Sequence, residues 1–305
     1  MSQETQNESA PRLLTAPYRI PIEQCVSDYL GRVWRVTRVQ DKADEASHPA
    51  AILSDETGAV FVKLGEGCLA RDQLKQELAG LRLLTERGGA LTPAVIGNIP
   101  VEGGALVVME AVQVIQRERA HWRQIGAALA QLHRARGDQF GLETHCYWGS
   151  LYQNNSPLLD WPEFFWERRL APRLRAAIDS GRLPFDLVPK VETLRDRLPS
   201  LCGPKVEPSL LHGDAHQNNF LSTARGPFMI DPSVYYGHPE IDLAHVDFFA
   251  PVSDELFRGY QALAPLDPGF QNRRDLWRIP TWLAMVQVAG PQHLNDLTTA
   301  LQPYL

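Results

Sequence analysis

The apolar pattern of this chain shifts from mainly strand-like to mainly helical near residue 110, and that break limits it to a mixed architecture in two parts. Before the break, Arg32–Val39 (RVWRVTRV) is rich in β-branched residues and reads as a strand. Ala51–Leu53 and Val60–Leu64 flank Ser54–Gly58 (SDETG), a hairpin signature. In the second of these strands Val60, Val62 and Leu64 share one face, and Phe61 and Lys63 the other. Leu74, Leu78, Leu81 and Leu84 recur at three- and four-residue spacing, which predicts an amphipathic helix ended by Gly88-Gly89. Leu106–Met109 is a further strand candidate. Beyond the break, Trp122–His133, Phe164–Ile178 and Val191–Leu198 read as helices, with a short β-type segment over Leu210–Ile230. The expected fold class is therefore α+β: a flexible polar tail over 1–17, a small β-rich N-terminal lobe over 18–109 and a larger helical C-terminal lobe over 110–305.

Composition narrows the function classes. With 305 residues, 44% of them hydrophobic, the chain buries enough surface to fold without a disulfide or structural metal. Lys+Arg 30 against Asp+Glu 36 leaves a net charge of −6, which carries no electrostatic footprint for nucleic acid or for an anionic membrane. Cys25, Cys68, Cys146 and Cys202 are scattered, with no C-x-x-C pair. The first ten residues lack the apolar core of a signal peptide, and no apolar run approaches the ~20 residues of a membrane span. The expectation is a soluble cytoplasmic protein.

The chemistry concentrates in His212-Gly213-Asp214-Ala215-His216-Gln217-Asn218-Asn219 and in Asp231, which follows the apolar Phe228–Ile230. An Asp, an Asn five residues on, and a second Asp after a short hairpin match the needs of phosphoryl transfer. Asp214 would orient the acceptor hydroxyl and take its proton, while Asn219 and Asp231 would hold Mg²⁺ against a triphosphate. The N-terminal lobe supplies the complement: Lys63 on a strand after a hairpin, and Glu77 on the following helix to aim it. A rival reading takes His212, Asp214 and His216 as alternating strand ligands, completed by Asp231, Asp242 and His245 into a metal hydrolase site. It leaves Lys63, Glu77 and Asn219 without a task.

With these residues goes a resemblance to the fructosamine kinase (ketosamine kinase) family, a branch of the protein-kinase-like superfamily close to the aminoglycoside phosphotransferases. The pieces that carry it are Phe61-Val62-Lys63, Glu77 with Leu81, Trp148-Gly149-Ser150, and Trp161…Phe164-Phe165…Arg168-Arg169-Leu170. The narrowest are Leu211-His212-Gly213-Asp214 and Ile230-Asp231-Pro232…Tyr235-Tyr236-Gly237-His238-Pro239-Glu240-Ile241-Asp242-Leu243-Ala244. The resemblance implies a two-lobed protein-kinase-like fold and an ATP- and Mg²⁺-dependent kinase with Asp214 as base. Lys63 and Glu77 would grip the nucleotide phosphates, Met109, Glu110 and Ala111 would meet the adenine, and His212 and Asp242 would support the catalytic loop. The implied acceptor is the sugar hydroxyl of a ketoamine, a fructosamine or ribulosamine, as a small molecule or on a glycated protein.

Two departures bear on that expectation. The family's Gly-rich turn is replaced by Asp41–Pro49, which has no glycine and carries Asp41, Asp44 and Glu45. The family's L-W-S-G after the base reads Ala215-His216-Gln217-Asn218, so His216 stands where an aromatic platform is expected and becomes the acceptor-pocket candidate. The alternatives left open are a phosphotransferase of aminoglycosides or other small molecules, and a catalytically degenerate nucleotide-binding protein.

Overall fold

The computed structural model describes residues 12–42, 48–67 and 69–305. A helix α1 (Ala16–Leu30) precedes five strands: β1 (Arg38–Asp41), β2 (Ala50–Ser54), β3 (Ala59–Glu66), β4 (Val95–Val101) and β5 (Gly104–Glu110). Helix α2 (Ala70–Glu86) connects β3 to β4, and the sheet order is β1-β2-β3-β5-β4, antiparallel throughout. The two faces of β3 go where alternation requires. Val60, Val62 and Leu64 pack with Ile22 and Val26 of α1, whereas Phe61 meets Leu74, Leu78 and Leu81 of α2.

Two elements depart from the pattern read in the sequence. Helix α1 begins inside the stretch expected to be a tail, and its two prolines, Pro17 and Pro21, mask it. Only Ile22 and Val26 are buried along it, too few to mark a stripe. Arg32–Val39 is a strand only from Arg38. Upstream, Ser27 Oγ accepts the Trp34 N–H at 2.9 Å and the Glu23 carboxylate accepts the Val36 N–H at 3.1 Å, so side chains of α1 replace ladder partners. The exposed residues there follow a helix flank, not a sheet.

The rest of the chain is mainly helical. Helix α3 (Arg119–Leu132) leads to a short hairpin, β6 (Cys146–Trp148) and β7 (Leu151–Gln153). Helix α4 (Trp161–Phe165), a π turn (Trp166–Leu170) and α5 (Ala171–Asp179) then follow without a break, and α6 (Val188–Glu192) and α7 (Leu194–Leu201) come next. Asp160 caps α4 by accepting the Glu163 N–H at 3.2 Å. Three short strands, β8 (Ser209–Leu211), β9 (Phe220–Thr223) and β10 (Gly226–Met229), frame the densest motif, and β11 (Tyr235–Gly237) pairs back on β8. Helices α8 (Glu240–His245), α9 (Glu255–Gln261), α10 (Phe270–Val288) and α11 (Leu294–Leu301) complete the lobe.

Helices α3 and α9 cross in near backbone contact. A Cβ at Gly126 would lie 1.8 Å from the Leu256 carbonyl oxygen, and one at Gly259 would lie 2.0 Å from that of Arg123. The Tyr235–Asp242 run also has a packing task. Glu240 is buried, paired with Arg273 at 2.6 Å, and accepts the Trp277 indole N–H at 2.9 Å. Trp161, Phe164 and Phe165 lie in the same core.

Candidate active site

The cleft between the sheet and the helical lobe forms a cavity of about 230 Å³, lined from both sides by His48, Glu77, Tyr147, Asp214, Asn219 and Asp231. Lys63 enters from β3, opposite Val107 on β5, with only 2% of its side chain exposed. Its Nζ donates to Glu77 Oε1 at 2.8 Å and to Asp231 Oδ1 at 2.6 Å, so one ammonium ties the N-terminal helix to the C-terminal loop. Burial pushes Glu77 up to about 7, with Asp231 adding to the rise and Lys63 opposing it. Burial would raise Asp231 as well, but the Lys63 charge and hydrogen bond outweigh it and hold that carboxyl below its ordinary value. Lys63 is held above its ordinary value: burial opposes the charge, and the two carboxylates more than compensate.

Asp231 leaves β10 with φ +50°, the single positive φ at a non-glycine among the described residues. A non-glycine in that region stores roughly 1–3 kcal/mol of strain, which the surrounding bonds must overdetermine. The Ile230 N–H donates to the Asn219 carbonyl at 3.1 Å, which links the two sides of the β9–β10 hairpin at the cleft.

The Asp214 loop is built around a second buried carboxylate. Asp242 accepts the backbone N–H of His212 at 2.7 Å and of Gly213 at 2.9 Å, and its Oδ2 lies 3.1 Å from His133 Nε2. Burial would raise Asp242, but these donors and the nearby histidines hold it low. His212 Nε2 meets the Ile230 carbonyl at 3.0 Å, and its Nδ1 accepts the Asp214 N–H at 3.3 Å. Gly213 turns at φ +79°, and a Cβ there would lie 1.9 Å from the Ser233 carbonyl oxygen, so only glycine fits. His212 and Asp242 thus act on the backbone of the loop and not on the cavity.

Asp214 itself touches neutral donors. Trp148 Nε1 donates to its Oδ1 at 2.8 Å, and Asn219 Nδ2 donates to its carbonyl at 2.8 Å and its Oδ2 at 3.2 Å. Burial raises Asp214 above an ordinary aspartate, with partial offsets from His216 and the Trp148 hydrogen bond. His216 stands 3.8 Å from Asp214 Oδ2, edge-on to Phe249 with ring centroids 5.0 Å apart. Burial lowers the His216 imidazole, which favours its neutral form, and the Asp214 charge opposes that shift.

The segment Met109–Ala111 ends β5 at the junction of the lobes. The Glu110 N–H donates to the Ala94 carbonyl at 2.8 Å, and its carboxylate pairs with Arg225. Arg117, just beyond, donates to the Gln217 carbonyl at 2.9 Å and to Ser222 Oγ at 3.0 Å, which ties the connector to the start of the β9–β10 hairpin. The apex of the Asp41–Pro49 loop, residues 43–47, lies outside the described residues.

Five residues in or beside the cleft had no individual role assigned from the sequence. His48 faces Lys63 and Asp231, which respectively lower and raise an imidazole already depressed by burial. Asp72 on α2 lies 2.6 Å from His145 Nε2 and accepts the Tyr147 hydroxyl at 2.7 Å, a second bridge between the lobes. Trp148 reaches Asp214 itself. The W-G-S motif marked it, but no spacing rule connects residue 148 to residue 214.

The donors suit a hard cation. Asn219 donates its Nδ2 to Asp214, which leaves Oδ1 as its free amide oxygen, and Asp231 has one carboxylate oxygen beyond Lys63. Among the described residues no three His, Cys, Asp or Glu side chains converge as a metal cage. Mg²⁺ needs none, because phosphate and water fill most of its shell. The rival hydrolase site does not form: His212 and Asp242 are engaged with loop backbone, and His245 Nε2 lies 2.7 Å from Thr281 Oγ1.

A strand lysine paired with a helix glutamate, facing an Asp-Asn-Asp set across a two-lobed cleft, defines a phosphotransferase of the protein-kinase-like class. The model of the fructosamine kinase family matches residues 20–305, and the chain belongs to that family. It is thus a kinase that transfers phosphate to an alcohol group. A protein from Synechocystis sp. assigned as a ketoamine kinase is 30% identical over 270 residues, covering 87% of this chain and 88% of the relative. The crystal structure of a protein from Thermobifida fusca, assigned as a fructosamine-3-kinase, superposes with a TM-score of 0.82 at 28% identity, covering 92% of this chain and 97% of the other. The aminoglycoside phosphotransferase APH(4)-Ia, solved with ADP and hygromycin B, shares the fold at 12% identity and a TM-score of 0.59, over 92% of this chain and 96% of the other. No helix among the described residues is long and apolar enough to cross a membrane.

Proposed function

We propose that this chain is an ATP- and Mg²⁺-dependent ketoamine kinase that phosphorylates a sugar hydroxyl of a fructosamine or ribulosamine. The observation that carries the reading is the Lys63 bridge, 2.8 Å to Glu77 and 2.6 Å to Asp231, formed at the cavity that also holds Asp214. Asp214 accepts the proton of the acceptor hydroxyl as that oxygen bonds to the γ-phosphorus and the bond to the ADP oxygen breaks. Its raised pKa suits a group that must take a proton, and Trp148 and Asn219 fix its direction. Asp231 and the Asn219 amide oxygen would hold Mg²⁺, which when bound neutralises charge on the phosphates. Lys63, aimed by Glu77, grips the phosphates, and Met109–Ala111 carries the backbone that meets adenine. His216 and Tyr147 border the acceptor side. An intact clamp and an oriented base argue against a degenerate protein.

The test is phosphate transfer from Mg·ATP to a panel of small ketoamines, followed by ADP release and by mass of the product. A sugar phosphate formed only with Mg²⁺ is expected. ADP release without any ketoamine phosphate would overturn the reading.

A further inference from the structure

A second cavity, of about 40 Å³, lies behind the base and is lined by Trp148, Gln153, Arg169, Arg173, Gly213 and Thr281 among others, with no carboxylate in its wall. It adjoins the catalytic loop directly. Trp148 lines it and also donates to Asp214, and Gly213 lines it and precedes Asp214 in the chain.

The two arginines differ. Arg169 is engaged: it donates to the Asn154 carbonyl at 2.9 Å and Asn155 Oδ1 at 2.7 Å, and its guanidinium lies 4.0 Å from the Tyr235 ring centroid. Even so, its buried Nε has no partner. Arg173, one helical turn on, makes no hydrogen bond or ion pair with any described residue. Burial lowers it to about 10, with Arg169 adding to the effect, so it remains cationic at neutral pH. The neighbouring Cys146 thiol is pushed up by burial and supplies no compensating charge. Arg173 is part-buried, and a guanidinium that stands in a cavity wall with no anion beside it is a ready partner for a carboxylate. The volume suits a carboxylate.

We infer that this cavity is an acceptor subsite in which Arg173 and Arg169 receive the carboxylate of a glycated amino acid whose sugar hydroxyl lies at Asp214. The inference rests on the ketoamine reading above and narrows it. A glycated protein has converted that carboxylate into a peptide bond, so the subsite selects free glycated amino acids over glycated protein.

The experiment compares kcat/KM for the ketoamine of a free amino acid with that of its carboxamide, in wild type, Arg173→Gln and Arg173→Lys, with melting temperatures to confirm folding. Wild type is expected to prefer the acid by about 10–100-fold, the range of a hydrogen bond to a charged group. Arg173→Gln should bring that ratio close to one, and Arg173→Lys should restore part of it. An acid-to-amide ratio near one in wild type, or a ratio unchanged in a folded Arg173→Gln, overturns the subsite. So does a preference for a C6-phosphorylated ketoamine amide over the acid, which would assign the arginines to a phosphate. Turnover of the amide shows that the kinase reading stands whatever the ratio. Failure of every ketoamine removes that reading and the subsite with it.

Discussion

The two ends of the cleft treat their aspartates in opposite ways. Asp231 is met by a full positive charge, Lys63 at 2.6 Å, and is held ionised below its ordinary range. Asp214 is met by an indole N–H and an amide N–H, and burial pushes it up. The first environment suits a carboxylate that must stay anionic against a cation, and the second one that must gain and lose a proton. Asp242 shows a third solution, a fully buried carboxylate kept low by backbone N–H groups and His133 while it braces the loop. Nearly identical side chains thus acquire different proposed tasks from the charge of their nearest donors.

Four substitutions break or sharpen this contrast. Asp214→Asn keeps the size and removes the proton acceptor; turnover should fall about 10²–10⁴-fold, while nucleotide affinity measured by calorimetry moves little. Loss of nucleotide binding instead would place Asp214 at the wrong end of the contrast. Asp242→Ala should destabilise the protein by about 3–5 kcal/mol in urea unfolding, because two loop N–H groups and His133 lose a buried partner. The wild-type Asp242 contribution has a definite sign. Its folded pKa is depressed, so that stability is present above the unfolded aspartate value, about 3.9, and is lost as pH falls through the lower folded value. Acid unfolding monitored by circular dichroism should be shallower in the variant.

Trp148→Phe tests the Asp214 end more finely. Removing the indole donor takes away a bond that favours the anion, so the acid limb of the kcat/KM profile should move to higher pH by about one unit. A limb that stays put would mean another group controls it. The smallest effect is expected at Asp72→Asn, which weakens the partly exposed bridge to His145 and Tyr147. A loss of about 0.2–1 kcal/mol in thermal unfolding fits a pair of that exposure.

The set Lys63, Glu77, Asp214, Asn219 and Asp231 was legible because each lies beside a local signal. Lys63 follows a hairpin, Glu77 shares a helix with a leucine stripe, and the other three border H-G-D and a short apolar strand. Helix α1 was not legible, since Pro21 inside it contradicts helix propensity and its two buried residues, Ile22 and Val26, mark no stripe. Nor was the β4 strand, whose mixed VIGNIPV pattern pairs with β5 through a register shift between Val95 and Gly97.

Local order and residue chemistry are short-range properties, and the sequence by itself determined them: the strand lysine, the helix glutamate, the glycine at the loop bend and the oxygen donors. Charge state and partnership belong to residues distant in the chain, and only the tertiary structure decided those. Trp148 meets Asp214 across 66 residues and Lys63 meets Asp231 across 168, separations that no periodicity spans. Arg173 is an ordinary helix arginine in the sequence. Only the fold sets it in the wall of a cavity that carries no carboxylate, which is the ground of the proposed subsite.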